Sequence, residues 1–292
     1  MTIWNDYQLV YSLSEAVEAY DQAEKPVRFV SGGTDLLLEI QQGSHPAMNT
    51  LIDLNHIDEL RELRVMGELI FIGAAVPVSQ ITNSPLIKEH AMAVAEATGL
   101  IGGPQVRNSA TLGGNVAHAL PAADGMISLV AMNATAISYS HTDYSKKNIL
   151  DLFKGTGESA LEKDEILVGF EFPVKKSGEG SAFDRVMRPQ GVALPILNIA
   201  VWLRRKGDVI DDIRIAFGPS GPVPTRALKV EEVIRGKKLT DVTISRAKET
   251  ILESMKFRTS KKRATAEYRY LLAQALLEKV VSKAWNRAGE TK

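Results

Sequence analysis

Cysteine is absent from the 292-residue sequence, and its absence excludes several classes of function. Disulfide bonds, zinc ribbons, thiol nucleophiles and iron–sulfur clusters ligated by this chain would all need cysteine. A chain without cysteine suits a reducing compartment, so the sequence favours a cytoplasmic protein. The first residues, MTIWNDYQLV, contain Asp6 and no basic segment, so no secretory signal peptide is predicted there.

An excess of charge and long apolar runs are also lacking. The sequence has 35 Lys and Arg against 35 Asp and Glu, which removes the electrostatic reason to expect broad nucleic-acid binding. The run Lys261-Lys262-Arg263 is the one basic cluster of note, and a solvated loop or a helix start explains it. The longest apolar run, residues 194–203, is interrupted by Asn198 and is far shorter than the roughly 20 residues of a membrane span. It is predicted to be a buried strand.

Familiar nucleotide-binding and catalytic motifs are missing as well. No GxxxxGK[ST] sequence occurs, which argues against a P-loop nucleotidase. The string GTGESA at residues 155–160 matches GxGxxA, but a predicted strand follows within a few residues where a Rossmann turn would open a long helix. The five histidines show no metal-ligand spacing, so no metal site is predicted, and no Ser-His-Asp constellation or other catalytic residue follows from the spacing.

Strands and helices are mixed in the first half of the sequence. Ser12 and Glu15 have capping-box spacing and predict a helix from about residue 13. Residues 85–98 are predicted to form one helix that ends at Gly99. Strands are predicted for PVRFV, TLIDLNHI, LIFIGAAVPV (ending near Gly73), ATAISYS and EILVGFEFP. Because regular βαβ alternation is lacking, the pattern favours an α+β fold over a doubly wound sheet.

A change in composition at VKKSGEG, residues 174–180, predicts a boundary. The predicted domains are residues 1–175, with subdomains of about 1–55 and 56–175, and residues 180–292. Beyond the boundary, ALPILNIAVWL and DIRIAFGPSG are predicted strands, and two amphipathic helices follow. Their predicted buried faces are Ile244, Ala247, Ile251, Leu252 and Met255 in the first helix, and Tyr268, Leu271, Leu272, Ala275 and Leu276 in the second.

Two glycine pairs, Gly32 with Gly33 and Gly113 with Gly114, are the most informative local features. A glycine pair lets the backbone adopt positive φ and direct several N–H groups at one point, where an anion can accept them. For each pair alone, a tight turn without a ligand is the alternative. Polar side chains flank both pairs, and two such turns converging from separate loops suit the diphosphate of a dinucleotide. The flanking residues are Ser31, Thr34, Asp35, Thr111 and Asn115.

Four segments in this order and spacing, SGGTDLL, GPQVRNSATLGGN, PAAD and DEILVGFEFP, resemble the FAD-binding or medium subunits of molybdenum hydroxylases. That family includes xanthine dehydrogenase and carbon monoxide dehydrogenase, and the resemblance spans nearly the whole chain. It implies a two-part FAD-binding domain of the type found in vanillyl-alcohol oxidase and MurB, followed by a small α+β C-terminal domain.

The resemblance also implies which residues bind FAD. Residues 29–36 would wrap the diphosphate, and the Gly113–Gly114 region would approach it from the other side. Asp124 matches an acid at the polar edge of the flavin, with a charge at a helix N-terminus as the alternative. Ile101 and Leu167 match apolar positions near the ring, with core packing as the alternative. The complete implied set is Phe29, Val30, Ser31, Gly32, Gly33, Thr34, Asp35, Leu36, Ile101, Thr111, Gly113, Gly114, Asn115, His118, Asp124, Leu167 and Arg185.

One position departs from the family pattern. Family members often carry a lysine just after an SAF-like strand start, whereas this sequence reads SAFDRVMR. If Arg185 occupies that place, its charge would stabilise a reduced, anionic flavin. If the register slips by one residue, Asp184 lies there and this stabilisation is lost. A surface arginine is the third possibility.

The resemblance implies an oxidoreductase subunit that transfers electrons through FAD. A small subunit with [2Fe–2S] clusters would deliver the electrons, and a molybdopterin-containing large subunit would hydroxylate the substrate, in a heterotrimer. NAD⁺, a ferredoxin or a quinone-like carrier would accept the electrons. The alternatives are a stand-alone FAD-dependent reductase or oxidase of MurB-like fold and a cofactor-free structural subunit. The substrate would be determined by another polypeptide.

Overall fold

Three β-sheets, formed one after another along the chain, organise the computed structural model, which describes residues 3–188, 194–261 and 263–289. The first sheet is parallel, with strand order β1-β3-β2. Its helix α1 begins where the capping box predicted, since Ser12 Oγ accepts a hydrogen bond from the N–H of Glu15. The elements are β1 (Trp4–Leu9), α1 (Leu13–Gln22), β2 (Val27–Val30), α2 (Leu36–Gln41) and β3 (Met48–Asp53).

The second sheet has five antiparallel strands in the order β4-β5-β10-β6-β7. Its strands are β4 (Leu63–Met66), β5 (Leu69–Gly73), β6 (Thr135–Ser140), β7 (Asp143–Asn148) and β10 (Ile166–Pro173). GTGESA lies in the small hairpin of β8 (Phe153–Gly155) and β9 (Glu158–Ser159), so it opens no helix. Two 3₁₀ helices, Asp58–Arg61 and Ile149–Leu152, complete this region.

Six helices connect β5 to β6, and the second glycine pair and Asp124 lie in this region. They are α3 (Val78–Asn83), α4 (Pro85–His90), α5 (Met92–Gly99), α6 (Pro104–Ser109), α7 (Leu112–Ala117) and α8 (Asp124–Ala131). The prediction of one helix over residues 85–98 is wrong, because Ala91 leaves the helical conformation with φ −147°. The second helix instead pairs the N–H of Ala93 with Ser181 Oγ, a contact between distant residues that no local pattern reveals.

The third sheet is antiparallel, in the order β11-β12-β13-β14, with β15 also paired to β13. Its strands are β11 (Glu179–Met187), β12 (Pro195–Lys206), β13 (Val209–Gly218), β14 (Thr225–Arg226) and β15 (Lys237–Lys238). Three helices pack on it: α9 (Leu228–Ile234), α10 (Asp241–Ser254) and α11 (Ala266–Gly289). Ala193, in the predicted ALPILNIAVWL strand, lies outside the described residues.

Strand β12 is buried on both faces. Leu197, Ile199, Val201 and Leu203 belong to the core shared with α9, α10 and α11. Ala200 and Trp202 belong to the core formed by the second sheet and its helices. The third sheet therefore forms one wall of each of two cores, which agrees with the prediction of a buried strand for this apolar run.

The predicted buried faces of the last two helices are only partly right. Leu252 on α10, and Tyr268, Leu271 and Ala275 on α11, are exposed. Helix α11 has apolar residues on more than one face. The prediction from a short stretch of sequence therefore chose a different face of the helix from the one that packs against the core. The residues of α11 that are buried in the core include Ala273, Leu276, Leu277, Val280, Val281 and Ala284.

The predicted boundary segment, residues 174–180, includes the first two residues of β11. A Cβ on Gly180 would lie 2.3 Å from the carbonyl oxygen of Ala284, so this glycine allows close packing of β11 on α11. No helix in the described parts of the chain is long and apolar enough to cross a membrane.

Candidate functional site

The two glycine turns are in direct contact. The first glycine turn, residues 31–35, joins β2 to α2, and the second, residues 109–115, joins α6 into α7. A Cβ on Gly32 would lie 2.3 Å from the carbonyl oxygen of Ser109 and 2.9 Å from Cα of Ala110. Because no side chain fits in that space, glycine at position 32 allows the two backbones to meet.

The first glycine turn offers unpaired backbone donors. Within the described residues, no acceptor pairs with the N–H groups of Gly32, Gly33 or Thr34. Gly33 has a φ of +63°, a conformation that favours glycine. Asn55, which follows β3, fixes the turn, since Ser31 Oγ donates to its Oδ1 at 2.9 Å and its Nδ2 donates to the Ser31 carbonyl at 3.0 Å. Consecutive free N–H groups of this kind form an anion-binding concavity.

The second glycine turn differs from the prediction, because its N–H groups are already used. Gly113 N–H donates to the carbonyl of Ala74 at 2.9 Å, and Gly114 N–H donates to Thr111 Oγ1 at 3.1 Å. A Cβ on Gly113 would lie 2.5 Å from Cβ of Ala74, so this glycine is needed for packing. Gly114 is exposed, and a Cβ there would meet only Thr111 Oγ1, at 3.1 Å. Because Gly114 has no side chain, a ligand can approach its backbone directly.

A side-chain contact also joins the helices that follow the two turns. His118, at the end of α7, lies 2.8 Å from Glu39 of α2, measured between Nε2 and Oε1. Both side chains are partly exposed. The pair connects the second glycine turn to the first at a second point, besides the contact at Gly32.

The second turn leads directly to Asp124. Asn115 Oδ1 is buried without a hydrogen-bond partner, and a Cβ on Gly125 would lie 2.8 Å from it. Asp124 begins α8 and is 4% exposed. Residues 32, 109–115 and 124–125 therefore form one continuous track.

Both partners of Asp124 come from the third sheet. Arg185 Nη1 donates to Asp124 Oδ2, and Asn198 Nδ2 donates to Oδ1 at 2.7 Å. Arg185 and Asn198 lie opposite each other in the pairing of β11 with β12. Asp184 pairs with Lys279 of α11 at 2.6 Å, on the other face of the strand. Of the two candidates, Arg185 is thus the residue on the Asp124 side.

Burial disfavours the negative charge of Asp124 in this cluster. Burial raises the pKa of Asp124 to about 6, against the opposing effects of the charge of Arg185 and the hydrogen bonds from Asn198 and Arg185. Arg185 Nε and Asn198 Oδ1 are buried without partners. Unsatisfied buried atoms are uncommon, and these two belong to the partners of the Asp124 carboxylate, which is part of the track.

The remaining predicted residues occupy less direct positions. Phe29 packs on Tyr20 with ring centroids 5.1 Å apart, so its side chain faces α1. Val30 and Leu36 belong to a small core under the first sheet, and Asp35 is the N-cap residue of α2. Leu167 is buried in the core of the second sheet, and half-buried Ile101 follows α5, where its carbonyl accepts a hydrogen bond from Arg107. Sequence reasoning missed Asn55 and gave no site role to Asn198.

Known protein families match both parts of the chain. The family described as the FAD binding domain in molybdopterin dehydrogenase matches residues 4–175. This chain belongs to that family. The CO dehydrogenase flavoprotein C-terminal domain matches residues 181–284.

Relatives of this chain match it over most of their length. The xanthine dehydrogenase FAD-binding subunit of Escherichia coli O157:H7 is 28% identical over 286 residues, 97% of each chain. The glyceraldehyde dehydrogenase medium chain of Sulfolobus acidocaldarius is 31% identical over 237 residues, 80% of this chain and 82% of the relative. A carbon monoxide dehydrogenase structure from Hydrogenophaga pseudoflava, which lacks the Mo-pyranopterin moiety, superposes with a TM-score of 0.90 at 28% identity, covering 97% of each chain.

The membership confirms four expectations. The resemblance, the α+β fold with a two-part FAD-binding domain and a C-terminal domain, the oxidoreductase class and FAD as the cofactor of this chain all stand. Which residues contact FAD stays a prediction.

Proposed function

We propose that the chain binds FAD along the track from Gly32 to Gly125, with Arg185 beside it, and acts as an electron-transfer subunit of a molybdenum hydroxylase complex. The diphosphate would lie on the first glycine turn and the bare backbone at Gly114, and the ring would face Asp124 and Arg185. The contact of Gly32 with Ser109 and Ala110 carries the proposal, because it joins the two turns into one site.

The residues on the track fit such a cofactor. Three free N–H groups at residues 32–34 suit a diphosphate, which is an anion with many acceptors. The unpartnered Asn115 Oδ1, Asn198 Oδ1 and Arg185 Nε suit the donors and acceptors of a flavin. The other residues of the predicted set would contribute backbone or apolar contacts.

When bound, FAD supplies the ability to take electrons singly and release them as a pair. The protein's own residues would set the conditions for that chemistry. Arg185 holds a permanent positive charge that favours added negative charge nearby. Asp124 keeps the guanidinium in place, and its carboxyl, with a pKa near 6, can hold or release a proton close to neutral pH. Both side chains are nearly fully buried, so water screens them little.

The partners in this proposal are a [2Fe–2S] small subunit and a molybdopterin large subunit, in a cytoplasmic heterotrimer. The chain has no cysteine for iron–sulfur ligation, so the clusters would belong to another subunit. The term medium chain in the name of one relative supports an assembly of several chains. NAD⁺ is the proposed acceptor. We propose domains at residues 1–175, divided near 55, and 180–292. A core formed within residues 182–288 and a small core within the first 55 residues support this division, although the third sheet also lines the core of the second sheet.

Gly114→Val tests the placement of the diphosphate. The new Cβ would meet only Thr111 Oγ1, at 3.1 Å, so the variant should fold yet lose most of its FAD. FAD released on denaturation is measured per mole of purified protein. Gly221→Val is the control, since its Cβ would have no neighbour closer than 3.8 Å and it lies far along the chain from both turns. Wild-type FAD content in folded Gly114→Val would contradict this placement.

Co-purification tests the place of the chain in a complex. The proposal expects the tagged chain to bring down an iron–sulfur chain and a molybdopterin chain. A yellow, isolated chain that is reduced by NADH and turns over a substrate by itself would support the stand-alone reductase instead. A colourless chain that binds partners would support the structural subunit.

A further inference from the structure

A dense group of cations lies outside the proposed FAD track. Six of the fourteen residues 256–269 are Lys or Arg, and Glu267 is the only acid among them. Just before α11, Ser260 N–H donates to the carbonyl of Ala264 and Arg263 N–H donates to the carbonyl of Ser260. Lys262 lies outside the described residues. The positive charge of this segment needs an explanation.

No carboxylate in the described structure neutralises this group. None of the cations described in residues 256–269 takes part in an ion pair, whereas Arg226, Arg235, Arg246 and Arg287 each have a carboxylate partner. Glu267 is exposed, and its pKa is lowered by hydrogen bonds from its own backbone and from Thr265.

Arg269 is the clearest anomaly in the group. It is 1% exposed, its Nε has no hydrogen-bond partner, and Nη1 makes only a 3.5 Å contact with the carbonyl of Pro219. Burial lowers its pKa, and the charges of Arg263 and Arg258 lower it further. A buried guanidinium normally has an anion or a full set of acceptors, because desolvating its charge is costly.

The cluster lies at the same end of the third sheet as Asp124. Pro219 follows Gly218, which pairs with Asn198 across β12 and β13, and Asn198 donates to Asp124. Arg188, just after β11, donates from Nη2 to the carbonyl of Arg263 at 3.4 Å. The cations therefore border the proposed FAD site without belonging to its track.

We propose that Arg258, Arg263 and Arg269 form a binding site for a phosphate group carried by a small molecule. Three guanidinium groups supply three charges and many N–H donors. A phosphate, with two negative charges and several oxygens, matches them better than one carboxylate. The phosphate belongs to free inorganic phosphate or to a nucleotide, and the experiment separates these two sources.

The test uses the full chain loaded with FAD, so that added nucleotide does not enter the FAD site. Thermal unfolding is compared in potassium phosphate and in potassium chloride at equal ionic strength. Phosphate should raise Tm by at least about 2 °C at saturating concentration. Arg258→Gln and Arg263→Gln should each weaken phosphate binding at least tenfold by calorimetry. Arg246→Gln, an exposed arginine paired with Glu249 on α10, should respond like wild type.

ADP gives the second arm. Binding of ADP at least tenfold tighter than phosphate would assign the phosphate to a nucleotide, and equal or weaker binding would assign it to the free ion. Arg269→Met should abolish both. If Arg269→Met does not fold, phosphate binding by Arg258→Gln and Arg263→Gln decides the test.

Equal Tm in phosphate and chloride would overturn the proposal, as would an unchanged phosphate response in Arg258→Gln and Arg263→Gln. Binding of a polyglutamate peptide without any binding of phosphate or ADP would also overturn it, and would point to an acidic protein partner.

Discussion

Replacing Asp124 by Asn is expected to stabilise the FAD-free protein at neutral and alkaline pH. The carboxyl is 4% exposed, and burial raises its pKa from 3.8 to about 6 even though Arg185 and Asn198 donate to it. Ionising the Asp124 carboxyl therefore costs more free energy in the folded protein than in the unfolded chain. A shift of this size corresponds to about 3 kcal/mol, at about 1.4 kcal/mol per pH unit. Asn removes the charge and keeps an oxygen that can accept from Asn198.

The raised pKa of Asp124 determines the sign of this effect and its pH range. The folded state binds the proton of Asp124 more tightly than the unfolded state does. The contribution of this carboxyl to stability is therefore complete below pH 3.8 and is lost as pH rises through about 6. Wild type and Asp124→Asn should have equal free energies of unfolding near pH 3.8. The variant should be more stable by up to about 3 kcal/mol at pH 8. Urea unfolding followed by tryptophan fluorescence at several pH values measures the difference.

The opposite result would refute this reasoning. If the ion pair with Arg185 outweighs the cost of burial, Asp124→Asn leaves a buried guanidinium without its anion. The variant would then lose about 3–5 kcal/mol at pH 8. Asp184→Asn is the matched control, because this neighbouring carboxylate is 21% exposed and pairs with Lys279. It should change stability by less than about 1 kcal/mol, without the same trend with pH.

Two further substitutions test contacts between elements. Burial alone would raise the pKa of Glu96, but hydrogen bonds from two cations of α11 and a backbone N–H lower it overall. Glu96→Gln should therefore cost about 1.5–3 kcal/mol at pH 7 and progressively less below pH 4.5, in urea unfolding with the exposed Glu253→Gln as control. His118→Ala should remove the contact with Glu39, raise the Kd for FAD about 5–10-fold and change stability by less than about 1.5 kcal/mol. A Kd for FAD equal to that of wild type would show that this contact does not position the turns.

Local sequence signals predicted the elements whose ends are set locally. The capping box at Ser12 and Glu15 marked the start of α1, and the end of β5 at Gly73 was predicted correctly. By contrast, β1 was not predicted, because it is mostly exposed and is defined by parallel pairing with β3, more than forty residues away. Elements that depend on distant partners leave little trace in a short window of sequence.

The candidate site shows the same division. The glycine pairs and Asp124 could be found from motifs, and the register that places Arg185 beside Asp124 required the pairing of β11 with β12. The donors of Gly113 and Gly114 were expected to be free, but Ala74 and Thr111 already accept from them. Asn198 did leave a signal, since an amide inside an apolar run must find buried partners. That signal predicts a polar contact without naming Asp124.

Strand β12 divides its side chains between two cores, and this division limits how the protein can be cut or recombined. A fragment ending near residue 175 would lose Ala200, Trp202, Arg185 and Asn198 together, exposing apolar surface and leaving the Asp124 carboxyl without its donors. Neither fragment should fold by itself, and calorimetry of the whole chain should show a single cooperative transition. Chimeras between relatives would have to exchange both segments as one unit.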